Sequence, residues 1–417
     1  MLIQFTVENF MSIKEKAYIS LEPSVDKAHP ENLISNEQES ALNTILIYGA
    51  NASGKSVLFK AMTVAIVMVR NSNNTQITDK LPVVPFKFDK ETLTKPSSFE
   101  FTFVAADNKK YIYGFSATSE KVIEEYLYVY NTAKPTLLFD IKEQDEPNFN
   151  REYRAKLGAA YKMNTANKLF LATATSWNVE CTSTPFKWLA EGIDTYSEIM
   201  NMGGVALDKY RNDDKGEYIS FTKELLKQAD INISDISIDI KEIFPSDNLF
   251  PGQGIYPVNA DSAFSVEVIT GHIIKKVDGT EEKYNLHIQD ESLGTQQLFN
   301  YGPLLKDAMD YGKTIVLDEI DKSMHPMLVK YIVNLFRNPE LNKNGAQLIA
   351  TTHETTVLSL DTLRRDQIYF TEKDNKTGET DVYSLDEFSV RKSENIEKGY
   401  LLGRYGAIPF LQTEEVW

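Results

Sequence analysis

The stretch Gly49-Ala50-Asn51-Ala52-Ser53-Gly54-Lys55-Ser56 satisfies the pattern G-x-x-x-x-G-K-[ST], and its neighbours say how to read it. Before it runs the apolar burst Thr44 to Tyr48; after it a helical stretch extends from Val57 to about Arg70. Strand, glycine-rich loop and helix, in that order, are the setting a phosphate-cradling loop requires. The glycines let backbone N–H groups turn towards phosphate oxygens, and the helix brings its positive N-terminus to them. Gly49, Asn51, Ser53 and Gly54 are thus the expected cradle. Lys55 is placed to reach the outer phosphates, and Ser56 offers a hydroxyl to Mg²⁺.

Three further patterns follow in chain order. Lys313-Thr314-Ile315-Val316-Leu317-Asp318-Glu319 is a β-branched and aliphatic strand ending in two carboxylates. Beside a phosphate loop, Asp318 is suited to the metal and Glu319 to an attacking water, the division of labour of phosphoryl transfer. Thr351-Thr352-His353 closes the next strand, Ala346 to Ala350, whose C-terminal end should open on the ligand crevice. There His353 can donate a hydrogen bond to a terminal phosphate. Glu291-Ser292-Leu293-Gly294-Thr295-Gln296-Gln297 precedes a helical stretch. Ser292 and the Gly294 N–H suit an anion, although an ordinary helix cap explains the same residues equally well.

Around these motifs the chain reads as α/β at both ends with an insertion between. Residues 2–8 alternate as a strand. Segments 83–88, 98–105, 110–117 and 122–130 look β-like, 141–152 looks like an exposed loop, and 153–230 turns helical. Residues 231–290 alternate again, interrupted by a loop at Pro251-Gly252-Gln253-Gly254. The last third reads helix (292–310), strand (313–317), helix (325–337), strand (346–351) and strand (367–370). The expected division is 1–105 and 286–417 as the two parts of one nucleotide-binding head, with 106–285 as an inserted α+β lobe.

Composition narrows the function classes. The 417 residues carry a formal net charge of −16, which disfavours broad nonspecific binding of phosphate backbones. The pairs Lys109-Lys110 and Arg364-Arg365 are too small to define a basic groove. The single cysteine, Cys181, rules out an intramolecular disulfide and fits a reducing cytoplasm. No basic-then-apolar leader opens the sequence, and the most apolar run, Val57 to Val69, interrupted by Lys60, is too short for a bilayer. Tyr126, Tyr128, Tyr130, Phe139, Trp177 and Trp188 read chiefly as core packing of the insertion.

The order glycine-rich loop, S-x-G, Asp-Glu, His resembles the ABC-type ATPases outside transporters: the RecF, SMC and OLD-like group of AAA-family proteins. GANASGKS looks like their Walker A motif, ESLGTQQ like the signature, TIVLDE like Walker B and TTH like the switch histidine. VENFMSIKE is similar to the group's N-F-x-S-I opening. Asp321 falls where such proteins have a D-loop, and His325-Pro326 resembles the OLD-like D-E-x-D-x-x-x-H-P run. The tail from Tyr400 to Pro409 is similar to that of abortive-infection ATPases of the Rlo/AbiL type. Two departures stand out. No glutamine sits at a clear Q-loop position, Gln76 being the nearest candidate, and the signature reads S-L-G-T.

The resemblance implies an ABC-type head that binds ATP and Mg²⁺ and hydrolyses ATP. Ser292 and Gly294 of one copy would complete the site of another, so a head-to-tail homodimer or higher homo-oligomer is expected. It further implies a sensor or regulator of a separate effector, such as a nuclease, in antiphage defence. The 64 residues after His353 contain no D-x-D pair, so a nuclease within this chain is not expected. The alternative is a DNA-repair or chromosome-maintenance ATPase with nucleic acid as partner, although no heptad arms flank a hinge. A transporter subunit would need a membrane partner and a more compact head. A scaffold with structural ATP would show slow turnover and retained nucleotide.

Overall fold

The computed structural model describes residues 1–36, 39–196, 199–229, 232–243, 254–257, 263–391 and 394–408. Much of the expected loop at 251–254 and the end of the tail at Pro409 lie outside those residues. The architecture is mixed α/β, divided into two compact units: residues 1–195, 311–320 and 333–417 form the first, and 196–310 with 321–332 the second. Residues 106–195 therefore belong with the first unit and 286–310 with the second.

The first unit holds two sheets with a helix between them. One is mainly parallel, in the order Ile193–Tyr196, Thr314–Leu317, Gln347–Thr351, Thr44–Gly49, Ile368–Lys373, Thr380–Ser384. Its four middle strands run parallel, and the last hairpin turns back. Strands buried on both faces should be continuously apolar, and Thr44–Gly49, Thr314–Leu317 and Gln347–Thr351 are buried at every position. The other sheet is antiparallel and seven-stranded, with Leu2–Glu8 between Ala17–Ser20 and Ser97–Val104, continuing through Lys110–Ala117, Val122–Tyr130, Pro135–Lys142 and Asn148–Phe149. Alternation along Ser97–Val104 sends Phe99, Phe101 and Phe103 inward.

The helix Lys55–Asn71 fills the space between the sheets. Leu58, Met62, Ala65, Ile66 and Val69 meet Phe5 and Phe101 on one side and Ile47, Val316 and Ile349 on the other in one buried cluster. The far face of the parallel sheet is covered by the tail. Tyr400 packs edge-on against Tyr48 and stacks on Phe370, and Tyr405 stacks on Phe370 as well.

Two local readings differ from the structure. Residues 83–88 form extended coil rather than a strand. Pro82 and Pro85 lack the N–H groups a ladder needs, and the segment is held instead by Asn9, whose Oδ1 accepts from Phe86 N at 3.0 Å. Conversely, Pro135–Lys142 is a strand, and the loop-like stretch after it returns Asn148–Phe149 to pair with Phe139 and Asp140.

The second unit combines helices Ile199–Arg211, Glu217–Gln228 and Leu293–Tyr311 with a four-stranded antiparallel sheet in which Ala263–Lys275 pairs with Asp235–Ile243, Gly254–Pro257 and Glu281–His287. Tyr210 stacks on Phe299, their ring centroids 4.8 Å apart. Gly302 lets two helices touch, since a Cβ there would fall 2.0 Å from Thr222 Oγ1. Among the described residues no helix is long and apolar enough to cross a membrane.

Candidate functional site

Everything at the site hangs from the strand Thr44–Gly49. Its neighbours put Thr351 level with Ile47 on one side and Thr371 level with Gly49 on the other. The loop that follows leaves ordinary backbone space twice, with Ala52 at φ 62° and Gly54 at φ 112°. Gly54 suits that conformation for a second reason: a Cβ would lie 2.4 Å from both Cγ2 and Oγ1 of Thr380. The helix begins at Lys55.

Hydroxyl groups pin the back of this loop. Ser53 Oγ lies 2.6 Å from Thr371 Oγ1, and Thr380 Oγ1 donates to the Ser53 carbonyl at 3.1 Å. Thr380 Oγ1 is also 2.8 Å from Ser12 Oγ, and Thr380 N donates to the Ser12 carbonyl at 2.7 Å. This explains the opening Asn9-Phe10-Met11-Ser12-Ile13. Ser12 latches onto the loop, while Asn9 ties down the segment 86–97, its Nδ2 donating to the Thr92, Lys95 and Pro96 carbonyls. Lys55 is buried, with Nζ donating to the Gly49 carbonyl at 2.7 Å and the Ala50 carbonyl at 3.1 Å.

In front of the loop lies a cavity of about 430 Å³. Asn51 to Ser56 line one side, Glu319 and His353 another; Met11, Val84 and Phe88 add apolar wall, Lys87 and Lys373 positive charge. The cradle closes around backbone that tolerates no side chain at residue 54, and it joins a lysine to a hydroxyl and nearby carboxylates. Those residues fit a nucleoside polyphosphate. Ser56 and Asp318 are oxygen donors of the kind Mg²⁺ takes when phosphates supply its remaining ligands.

The acidic pair is held in an unusual way. Glu319 is at φ 52°, left-handed for a residue with a bulky side chain. Its N–H donates to Thr351 Oγ1 at 2.7 Å, and that hydroxyl donates to Asp318 Oδ1 at 2.6 Å. Ile320 N donates to the Thr351 carbonyl at 3.0 Å. His353, two residues beyond, is exposed and lines the cavity.

Ser292 and Gly294 lie in the second unit and do not line the cavity. Ser292 is exposed, and its Oγ accepts from Thr295 N at 3.1 Å, so it caps the helix Leu293–Tyr311. Asp321 opens a turn closed by Met324 N, and His325-Pro326 starts the next helix, His325 Nδ1 accepting from Met327 N at 3.3 Å. Gln76 sits in an exposed turn with its carbonyl bound by Asn167 Nδ2, outside the cavity lining. Burial pushes the Cys181 thiol up to about 12, so it stays protonated and inert.

Thr371, Thr380 and the Phe88 wall were not singled out by sequence, and Thr351 entered only as the first residue of Thr351-Thr352-His353, with no role of its own. The signal for Thr351 was a hydroxyl at the end of an apolar strand, two residues before the histidine. Thr371 and Thr380 belong to no motif, and only the hairpin's fold brings them to the loop.

The loop, the acidic strand end and the histidine around one cavity define the class: a P-loop nucleoside-triphosphate-binding protein of the ATPase kind. A family model described as "AAA domain, putative AbiEii toxin, Type IV TA system" matches residues 45–359, more than half of the chain, and the chain belongs to that family. No curated protein matched it. Among solved structures it is similar to an SmcHead bound to the C-winged helix domain of ScpA (TM-score 0.43, 12% identity, 92% of this chain and 97% of that one). It is also similar to an Smc head domain with an extended coiled coil bound to the C-terminal domain of ScpA derived from Pyrococcus furiosus (TM-score 0.37, 12% identity, 97% and 98% covered). A third is the recombination mediator RecF-ATP of the RecFOR pathway (TM-score 0.37, 15% identity, 92% and 97% covered).

Proposed function

We propose that this chain is a Mg²⁺-dependent ATP hydrolase whose nucleotide cycle drives head-to-tail pairing and regulates a separate effector in antiphage defence. The observation that carries the hydrolase reading is the single cavity shared by Asn51 to Ser56, Glu319 and His353. Lys55 and the loop bind the β- and γ-phosphates, and Ser56 and Asp318 would hold Mg²⁺, which supplies charge neutralisation when bound. Glu319 orients and deprotonates the attacking water; His353 donates a hydrogen bond to the γ-phosphate.

The pairing rests on Ser292 and Gly294. An exposed serine beside a glycine at the start of a long helix is suited to a phosphate presented by a second copy. ATP binding then favours the closed pair, because both copies hold the same phosphates, and hydrolysis removes the bridge. The defence role is supported by the family's description as a toxin–antitoxin component and by the tail's resemblance to abortive-infection ATPases. A nuclease effector and a cytoplasmic location complete this reading.

The decisive experiment measures E319Q by light scattering with ATP and Mg²⁺. The expected result is ATP-dependent doubling of mass, absent with ADP, together with loss of turnover. Wild-type turnover by E319Q would remove Glu319 as the base, and a mass unchanged by ATP would remove the pairing.

A further inference from the structure

We propose that Thr351 is the positioning residue for both acidic side chains of the site, a proposal that rests on the roles given above to Asp318 and Glu319. Thr351 is 2% exposed and ends the strand Gln347–Thr351, beside the strand that delivers Asp318. It grips three consecutive residues. Its hydroxyl donates to Asp318 Oδ1, the same oxygen accepts from Glu319 N, and its carbonyl accepts from Ile320 N. A hydroxyl has one proton to give and lone pairs to receive, so Thr351 can serve Asp318 and Glu319 together.

The backbone shows why this grip is needed. A non-glycine residue at φ 52° persists only where its surroundings over-determine it. The Glu319 N–H bond to Thr351 is such a restraint. Without it, residue 319 is free to relax towards an ordinary conformation, which swings its Cβ, and the carboxylate with it, away from the cavity. On Asp318 the hydroxyl fixes one oxygen and thereby the direction in which the other faces. Thr351 is also two residues before His353, so the acids and the histidine are set relative to one another by one strand end. Its counterpart Thr371, on the other flank of Thr44–Gly49, grips Ser53 in the phosphate loop instead. The loop's conformation therefore does not depend on Thr351.

That separation supplies the test. T351V keeps the side-chain shape without the hydroxyl, T351S keeps the hydroxyl, and T351A serves if the valine variant folds poorly. Single-turnover hydrolysis and binding of a fluorescent ATP analogue, with and without Mg²⁺, are measured for each beside E319Q. T351V and T351A should lose about 10- to 100-fold in turnover, the cost of an unpaired polar group in a reacting site. Their Mg²⁺-free nucleotide affinity should stay within about twofold and their half-saturating Mg²⁺ should rise, while T351S stays within about threefold of wild type in turnover. A merely structural threonine would lower nucleotide affinity and turnover together, and that result overturns the proposal. Wild-type turnover by T351V with E319Q inert also overturns it while sparing the reading of Glu319; wild-type turnover by E319Q sinks that reading itself.

Discussion

The left-handed backbone at Glu319 makes a prediction whose sign is unusual. In an ordinary position, replacing alanine by glycine destabilises a protein by about 0.5–1 kcal/mol, because glycine loses more freedom on folding. At φ 52° the order should invert. A Cβ in left-handed space costs roughly 1–2 kcal/mol, which glycine avoids. Subtracting the entropy difference leaves E319G more stable than E319A by about 0.7 kcal/mol at the middle of both ranges and by up to about 1.5 kcal/mol. Both variants lack the carboxylate, so the comparison isolates the backbone. Urea unfolding of the nucleotide-free protein, followed by tryptophan fluorescence, is the assay; Trp177 and Trp188 both lie in the first unit and report on it. Both variants should turn over far more slowly than wild type. If E319A proves as stable as E319G or more so, residue 319 is not strained, and it needs no restraint from Thr351.

Two further outcomes are expected. G54A combines a φ of 112° with a Cβ 2.4 Å from Thr380, so it should cost about 2–4 kcal/mol in thermal unfolding and abolish binding of a fluorescent ATP analogue. Glu125 is buried under the antiparallel sheet, with Tyr113 Oη and the N–H groups of Phe170 and Leu171 on its carboxyl, and burial pushes it up to about 7 from 4.5. An acid raised in the folded state favours folding below pH 4.5 and loses that contribution as pH climbs through about 7. Wild type should therefore lose about 3 kcal/mol relative to E125Q across that window in denaturant midpoints; a pH-independent difference between the two would refute the shift.

What the sequence made legible was local. Thr44 to Ser56 carries its own reading, because an apolar strand, two glycines and a following helix are contiguous. Asp318-Glu319 and His353 were legible for the same reason, each at the end of an apolar run. Residues 83–88 misled because Val83, Val84 and Phe86 are strand formers, and Pro82 before them and Pro85 among them outweigh propensity by removing ladder donors. Thr351, Thr371 and Thr380 were illegible because their meaning comes from strand order. Nothing in the chain announces that Gln347–Thr351 and Ile368–Lys373 flank Thr44–Gly49. The break between units was also hidden, since Leu293–Tyr311 reads as one helix whichever unit it joins.

The same strand order sets a timetable for synthesis. Ser53 and Thr371, whose hydroxyls meet behind the phosphate loop, are separated by 318 residues. A nascent chain that has left the ribosome as far as residue 340 carries every atom of Lys55 and neither strand that flanks its own. The loop then lacks its backing, and its strand exposes two unpaired edges that invite incorrect pairing. Chains halted before Ile368–Lys373 are therefore expected to lack a formed phosphate loop, and should fail to retain a fluorescent ATP analogue where chains extended past Thr380 succeed.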